Sequence, residues 1–417
     1  MDELMLNSNF IKPQYEANCF ANIPQTVIHL LTGTGEPTLP DTVFGDLPQR
    51  YDTVILFFID AFGWRFFEQY AGDYPFLQEI SQAGVVSKLT SQFPSTTAAH
   101  VTCIHTGLTV GQSGVYEWQY YEPQLDAIIT PLLFSYAGTT QRDTLKPTHI
   151  DPKRLYPTQT IYQKLQQHGV KAYLFQYHAY AHSTYTDIIS AGAEIVPYKT
   201  LPEALVNLRL RLSRQTSPSY FFLYYSPIDA IGHDYGPTSP QFEAEVDAFL
   251  IMVERLFQKQ LKGRLKNTLF MLVADHGLVE VDPQTTVYLN LDPQFAGIQR
   301  YFKTNGQGEF LVPGGSPRDM FLYVKDDLLD EAQAFLRPRL TGKAEVYKAQ
   351  NLIEEGFFGP PPLSETFLAR LGNLVILPYA NETVWWYEKD KFEQRFYGHH
   401  GGLTRQEMEI PLMLYTF

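Results

Sequence analysis

The 417-residue chain is 44% apolar and 14% aromatic, enough to build a folded core, which excludes a disordered chain. Its 32 basic against 45 acidic residues leave a net charge of −13, which excludes a surface built to coat nucleic acid. Two cysteines without paired spacing, Cys19 and Cys103, fit a reducing compartment. The length fits one large domain with an insertion, or two intimately joined lobes. The opening MDELMLNSNF carries acidic residues where a signal peptide wants lysine, and no apolar run approaches the ~20 residues that span a bilayer. These features predict a cytoplasmic protein without membrane contact; the oligomeric state is not legible.

Residues 1–50, rich in Pro, Asn and Gly, are expected to wrap over the core as an extension. From Tyr51 a regular alternation begins. TVILFFID is an apolar run ending in Asp60, the pattern of a strand buried on both faces. FGWRFFEQY reads as helix and GVVSKLTS as strand. FPSTTAAHVTCIHTG reads as a turn and a helix capped by Ser95, Thr96 or Thr97. GVYEWQYYEP, dense in aromatics, reads either as a packed loop or as a pocket wall containing Glu117 and Trp118. TIYQKLQQHG is a helix closed by Gly169, and VKAYLFQY a strand leading to YHAYAHS, where His178 and His182 fit a pocket lining better than a metal site.

SYFFLYYS is a further strand running into PIDAIGHDYGP, which places Asp229 and His233 across a glycine turn. PQFEAEVDAFLIMVERLFQKQL is a long amphipathic helix, and TLFMLVADHG a buried strand delivering Asp275 and His276. Strands alternating with helices predict an α/β core, a mostly parallel sheet with helices on both faces. Ligands collect at the carboxyl ends of such strands, where these acids and histidines fall. The core is expected over 51–284. A small α+β subdomain is expected over 285–370, with strands DMFLYVK and AEVYKA and the helix DLLDEAQAFLRPRL. Residues 371–417 would return through NLVILP to the core and supply a late histidine, His400 rather than His399.

Three aspartates and three histidines (Asp60, Asp229, Asp275, His233, His276, His400) supply ligands for a pair of zinc-like ions, and Thr97 a hydroxyl that metal can activate. Such a pair serves phosphate esters, whose anionic oxygens repel nucleophiles, by activating the attacker and stabilising the leaving oxygen. Manganese or iron also suits an Asp/His site.

These segments resemble the alkaline phosphatase superfamily, and most its nucleotide pyrophosphatase/phosphodiesterase branch, over residues 51–280 and 370–417. The matching elements are FFIDAFG with Asp60, FPSTT with Thr97 followed by Thr106-Gly107-Leu108, Asp229-x-x-x-His233-x-x-Gly236-Pro237, Asp275-His276-Gly277 and His400-Gly401. The resemblance implies an alkaline-phosphatase-like fold and two metal ions, zinc by first expectation. One would be held by Asp229, His233 and His400, the other by Asp60, Asp275, His276 and the Thr97 oxygen. It further implies attack by Thr97 and a phosphothreonine that water hydrolyses. The expected substrate is a small phosphodiester or nucleotide pyrophosphate. A phosphomonoesterase or phosphonate hydrolase is the alternative, and a non-catalytic metal-binding interaction protein the third reading. The substrate-reading positions depart from the family. Ala98 stands where a base-stacking Phe often follows the nucleophile, and Trp118, after Glu117, where an Asn binds a phosphoryl oxygen.

Overall fold

The computed structural model describes residues 6–417. Its centre is a seven-stranded sheet. Across the sheet the strands run Val85–Thr90, Glu409–Thr416, Thr268–Val273, Thr53–Ile59, Ser219–Tyr225, Lys171–Tyr177 and Glu194–Tyr198. The three central strands are almost wholly buried, which is why they read as unbroken apolar runs rather than alternations.

All pairings are parallel except those of Glu409–Thr416, which runs against both its neighbours. That reversal matters for the site. Glu409 lies opposite Thr90, and Leu412 opposite Val273, so the strand enters the sheet at the edge where its neighbours leave it. The segment before it, with His400, therefore reaches the same edge as Asp60, Thr97 and Asp275.

Helices cover the sheet. Ile161–Gln167, a helix as expected, starts with a reciprocal cap between Thr160 and Gln163. The long helix expected after Pro240 is regular over Pro240–Val253, then widens into a π turn at Glu254–Gln258. The described part of the N-terminal extension includes the helix Ile23–Thr32, which buries Ile23, Val27, Leu30 and Leu31 in the main core.

A second apolar cluster, with Met320, Leu336, Val346, Ile376 and Trp385, lies beneath a small antiparallel sheet. There the expectation from sequence needs correcting. Leu374–Pro378 (LVILP) does not lead back to the main sheet; it is the middle strand between Met320–Leu322 and Ala344–Lys348. All five of its residues are buried, so its apolar run is that of any central strand and carries no signal of which sheet it joins.

Two buried arginines tie these parts together. Arg318 Nε and Nη2 each donate at 2.9 Å to the Glu407 carboxylate, and both side chains are fully buried. Glu407 also accepts the N–H groups of Gly402 at 3.0 Å and Thr404 at 3.2 Å. It thus locks the loop after His400. Arg370, equally buried, donates to Glu122 at 2.7 Å and to the carbonyls of Gly114 and Leu155 at 2.8 and 2.9 Å. That pins both ends of the aromatic loop.

Breaking a buried pair from one side strands a charge at a cost of about 3–5 kcal/mol. Arg318→Ala should therefore lower the thermal midpoint strongly at pH 7, measured by circular dichroism. Glu407 stays below the ordinary glutamate range because, despite burial, Arg318 and the Thr404 hydroxyl favour its charged form. Its contribution is thus complete above the unfolded-state glutamate pKa and lost as pH falls through the lower folded value. The gap in thermal midpoint between wild type and Glu407→Gln should accordingly narrow from pH 6 toward pH 3; a constant gap would contradict this.

Candidate metal centre

Asp60 ends the Thr53–Ile59 strand, and the chain then turns sharply at Ala61, held at φ +64°. The turn aims the Ala61 N–H at Asp275 Oδ1, 3.1 Å away. Asp275 and His276 follow the Thr268–Val273 strand, and the His276 N–H closes on the same Asp275 oxygen at 3.0 Å. Gly277 permits this bend because a Cβ there would strike the backbone of Gln406.

Asp229 and His233 do not straddle a glycine turn as expected. They lie four residues apart on one face of the helix Pro227–Tyr235, with His233 Nε2 3.4 Å from Asp229 Oδ1. The sequence looked like a turn because of Gly232, which is helical here. Thr97 is the first residue of the helix Thr97–Thr106, with Thr96 at the N-cap position but making no side-chain capping bond.

The structure brings all seven of these residues together. Thr97 Oγ1 lies 3.2 Å from His276 Nε2 and 3.4 Å from Asp60 Oδ1. His276 Nε2 is 3.2 Å from Asp275 and 3.4 Å from Asp60. His400 Nε2 lies 3.7 Å from Asp229, and its ring stacks on His276 at 3.6 Å. The potential ligand atoms form two groups, Asp60–Asp275–His276 and Asp229–His276–His400, each within 4.8 Å. His233 completes the second through Asp229. His399 turns its Nδ1 back onto the backbone at His400 and does not join either group.

The donor set fits divalent cations. Each of the three imidazoles has Nδ1 against a backbone carbonyl: His233 on Gly398 at 2.7 Å, His276 on Gly277 at 3.0 Å and His400 on Ser95 at 2.9 Å. A carbonyl accepts only from N–H, which fixes the tautomer and leaves Nε2 as the free lone pair, the arrangement metal-ligating histidines adopt. Asp229 Oδ1 and Asp275 Oδ2 are buried without any hydrogen-bond donor, a costly state that a cation would relieve.

Burial, then the charges of Asp275 and Asp229, push the Asp60 carboxyl well up, against the Tyr224 hydroxyl that donates to it. Burial likewise raises Asp229, while Asp275, despite burial, is held down by His276. His400 is driven well below the usual histidine range by burial and then by His276. A neutral His400 is the ligating form. Two clustered Asp/His sites of the kind that serve a two-metal catalytic centre are therefore present.

Of the alternative hydroxyls, Ser95 Oγ donates to the Gly402 carbonyl at 2.7 Å and faces the loop rather than the cluster. Thr96 lines a cavity of about 650 Å³ together with Glu117, Trp118, Ser316, Trp385, Lys391 and Arg395. A second cavity, of about 210 Å³, is lined by Leu132, Arg142, Gln176, Tyr180 and Tyr224. Thr97, Trp118 and Asp229 border both.

The other expected pocket residues divide. Glu117 and Trp118 are on the wall. Ala98 is fully buried in its helix and borders neither cavity. His178 and His182 are exposed, His182 pairing with Asp187 at 3.4 Å, and neither reaches a cavity. The strand end sends Tyr180 inward instead. Sequence reasoning missed Tyr180, Tyr224 and Arg142. Only the aromatic character of YHAYAHS, read as a pocket lining, hinted at the first.

The model of the type I phosphodiesterase/nucleotide pyrophosphatase family matches residues 54–403. Human ectonucleotide pyrophosphatase/phosphodiesterase family member 1 is 22% identical over 250 residues, 58% of this chain and 25% of that protein. The venom phosphodiesterase CdcPDE of Crotalus durissus collilineatus is 23% identical over 290 residues, 66% of this chain and 32% of the other. The chain thus spans about a quarter to a third of these curated relatives' length. An inactive threonine-to-alanine variant of murine ectonucleotide pyrophosphatase/phosphodiesterase 5, in complex with AMP, shares the fold at TM-score 0.64, 18% identity and 87% coverage of both chains.

These relatives correct the expectation of a cytoplasmic protein, for they are ecto-enzymes by name and one is a venom protein. The expectation rested on the N-terminal residues and on two unpaired cysteines, neither of which reports where the folded protein works. No helix among the described residues is long and apolar enough to cross a membrane. The extent of the family match, joined to the paired Asp/His clusters, places this chain in the type I phosphodiesterase/nucleotide pyrophosphatase family, hydrolases of the alkaline phosphatase superfamily with a two-metal active site.

Proposed function

We propose that the protein hydrolyses phosphodiester or nucleotide pyrophosphate bonds of a small substrate, with Thr97 as nucleophile. The observation that carries this reading is the Thr97 hydroxyl, within 3.4 Å of both Asp60 and His276 at the start of a ten-residue helix. The murine relative inactivated by a threonine-to-alanine change supports it.

Asp229, His233 and His400 would hold one ion. Asp60, Asp275, His276 and the Thr97 oxygen would hold the other, zinc by donor type, with manganese or iron also suited. When bound, the ions neutralise the phosphoryl charge, activate the hydroxyl and stabilise the leaving oxygen. The chain itself does the rest. Thr97 gives up its hydroxyl proton to solvent, its Oγ forms the bond to phosphorus, and the bond to the leaving substituent breaks with its electron pair on that oxygen, which takes a proton from water. The first turn of the Thr97–Thr106 helix has N–H groups without intrahelical partners, to which phosphoryl oxygens beside Thr97 would accept. Water then cleaves the phosphothreonine.

A diester carries a substituent on each side of phosphorus. The two cavities meeting at Thr97 supply room for both. Arg142, half-buried in the smaller one and 5.6 Å over the Tyr180 ring, forms no ion pair among the described residues. Its Nη1 donates to the Leu132 carbonyl at 3.2 Å, which leaves the remaining guanidinium N–H groups for the substrate.

With zinc supplied, bis-p-nitrophenyl phosphate should be turned over faster than p-nitrophenyl phosphate. Thr97→Ala should lose on the order of 10³-fold or more in kcat while keeping its fold. Preference for the monoester would replace the diesterase reading with a phosphatase, and an active Thr97→Ala would remove Thr97 from the role. Metal removal is a separate check. Chelation should lower the thermal midpoint, and restored zinc should raise it in proportion to the logarithm of its free concentration. An unchanged midpoint would contradict ion binding by these residues.

A further inference from the structure

The smaller cavity is lined by two polar side chains whose hydrogen-bonding capacity the fold leaves largely unused, Arg142 and Gln176. Gln176, on the Lys171–Tyr177 strand, is only 9% exposed. Its side-chain amide takes part in no hydrogen bond among the described residues, and its Oε1 is sealed off without a donor. A buried amide in that state is costly unless a ligand pairs with it. Arg142 is held from behind. Its Nη1 donates to the Leu132 carbonyl at 3.2 Å, and the next residue's N–H donates to the Leu133 carbonyl at 2.9 Å. Asp143, the nearest acid in the chain, is occupied by Lys146 at 2.8 Å and Thr184 at 2.7 Å. The guanidinium thus keeps its charge and most of its donors for something outside the fold.

A path of aromatic contacts leads from this guanidinium to the Asp/His clusters. Arg142 lies 5.6 Å over the Tyr180 ring, Tyr180 is 6.2 Å from the Tyr224 ring, and the Tyr224 hydroxyl donates to Asp60. Tyr180 is fixed by its hydroxyl against Ser226 Oγ at 3.0 Å. Apolar Val101, Leu133 and Ile189 line the same cavity and suit the methylene groups of an arm that crosses it. The larger cavity differs, since Lys391 is paired with Glu388 and Arg395 with Glu393.

We propose, building on the diesterase activity above, that the smaller cavity takes a phosphodiester arm ending in an anion, bound by Arg142 and the Gln176 amide. The anion is a carboxylate or a phosphomonoester, the two groups whose oxygens match the planar guanidinium fork. A cationic head group would meet Arg142 with like charge. A plain alkyl arm would leave both polar side chains unpaired. The net charge of −13 works against an anionic arm, so a preference for one has to come from a local cation.

The experiment uses p-nitrophenyl phosphodiesters whose second substituent is an alkyl arm of equal length ending in methyl, carboxylate, phosphate or ammonium. With zinc supplied, kcat/KM is measured for each. In wild type the better anionic arm should exceed the methyl-ended one by about tenfold to a hundredfold, the range of hydrogen bonds to charged groups, and the ammonium arm should fall below it. Whichever of carboxylate and phosphate is faster identifies the anion. Arg142→Gln should abolish the advantage and Gln176→Leu should reduce it. Each ratio is taken within one protein, so a general loss of rate cancels. Equal rates for anionic and methyl-ended arms in wild type would overturn the proposal, as would an advantage that survives Arg142→Gln. Should that variant fold poorly, the order of the four arms in wild type decides. Wild type inert toward every ester would strike the diesterase activity itself, and the anion site with it.

Discussion

Everything around the site answers to one electrostatic constraint: three aspartates, Asp60, Asp229 and Asp275, are crowded into one buried or half-buried volume. Left alone, such a cluster takes up protons, as the raised Asp60 and Asp229 carboxyls show. Burial outweighs the neighbouring imidazoles His233 and His276 at Asp229, and His400, stacked on His276, is kept neutral. A site with this balance is built for cations from outside. The fold bears the cost of keeping the acids together because the acids sit on elements that cannot separate, the ends of adjacent central strands and the helix that follows one of them.

The loops at that edge could not hold ångström-scale geometry by themselves. Each is secured from behind. The His400 loop is tied by Glu407, itself clamped by Arg318; the aromatic loop is tied by Arg370 through Glu122 and Gly114. Arg318 and Arg370 come from the region around the small sheet, so that part of the chain fixes the site without contributing a ligand to either cluster. Buried ion pairs are poor sources of net stability. Their worth here lies in direction, since each guanidinium offers several donors in one plane and satisfies two chain segments at once.

Much of the sheet was legible because burial on both faces leaves an unambiguous apolar run, as at Val54–Ile59 and Leu269–Val273. The clustered aspartates and histidines were legible for a related reason: a charged residue ending such a run has no structural excuse. What failed were questions of direction and partnership. The DAIGH segment is helical although its glycine spoke for a turn, and LVILP joins the small sheet although nothing in five apolar residues names a partner. His178 and His182 point outward while Tyr180, two residues from each, lines the cavity.

The departures at Ala98 and Trp118 then take on a physical meaning. Ala98 is sealed inside the Thr97–Thr106 helix, so any stacking on a substrate ring would fall to other side chains. Trp118 is 45% exposed and borders both cavities beside Thr97, and so forms a partition between them. One side is narrow and carries an unpaired guanidinium; the other is three times larger, with Lys391 and Arg395 at its wall. On the proposed reading, unequal chambers on either side of Thr97 would impose an orientation on a diester, because its two substituents could not exchange places without a mismatch of size. Selectivity would then come from the shape of this partition and the charges behind it, while the Asp/His clusters serve whichever phosphoryl group the partition admits.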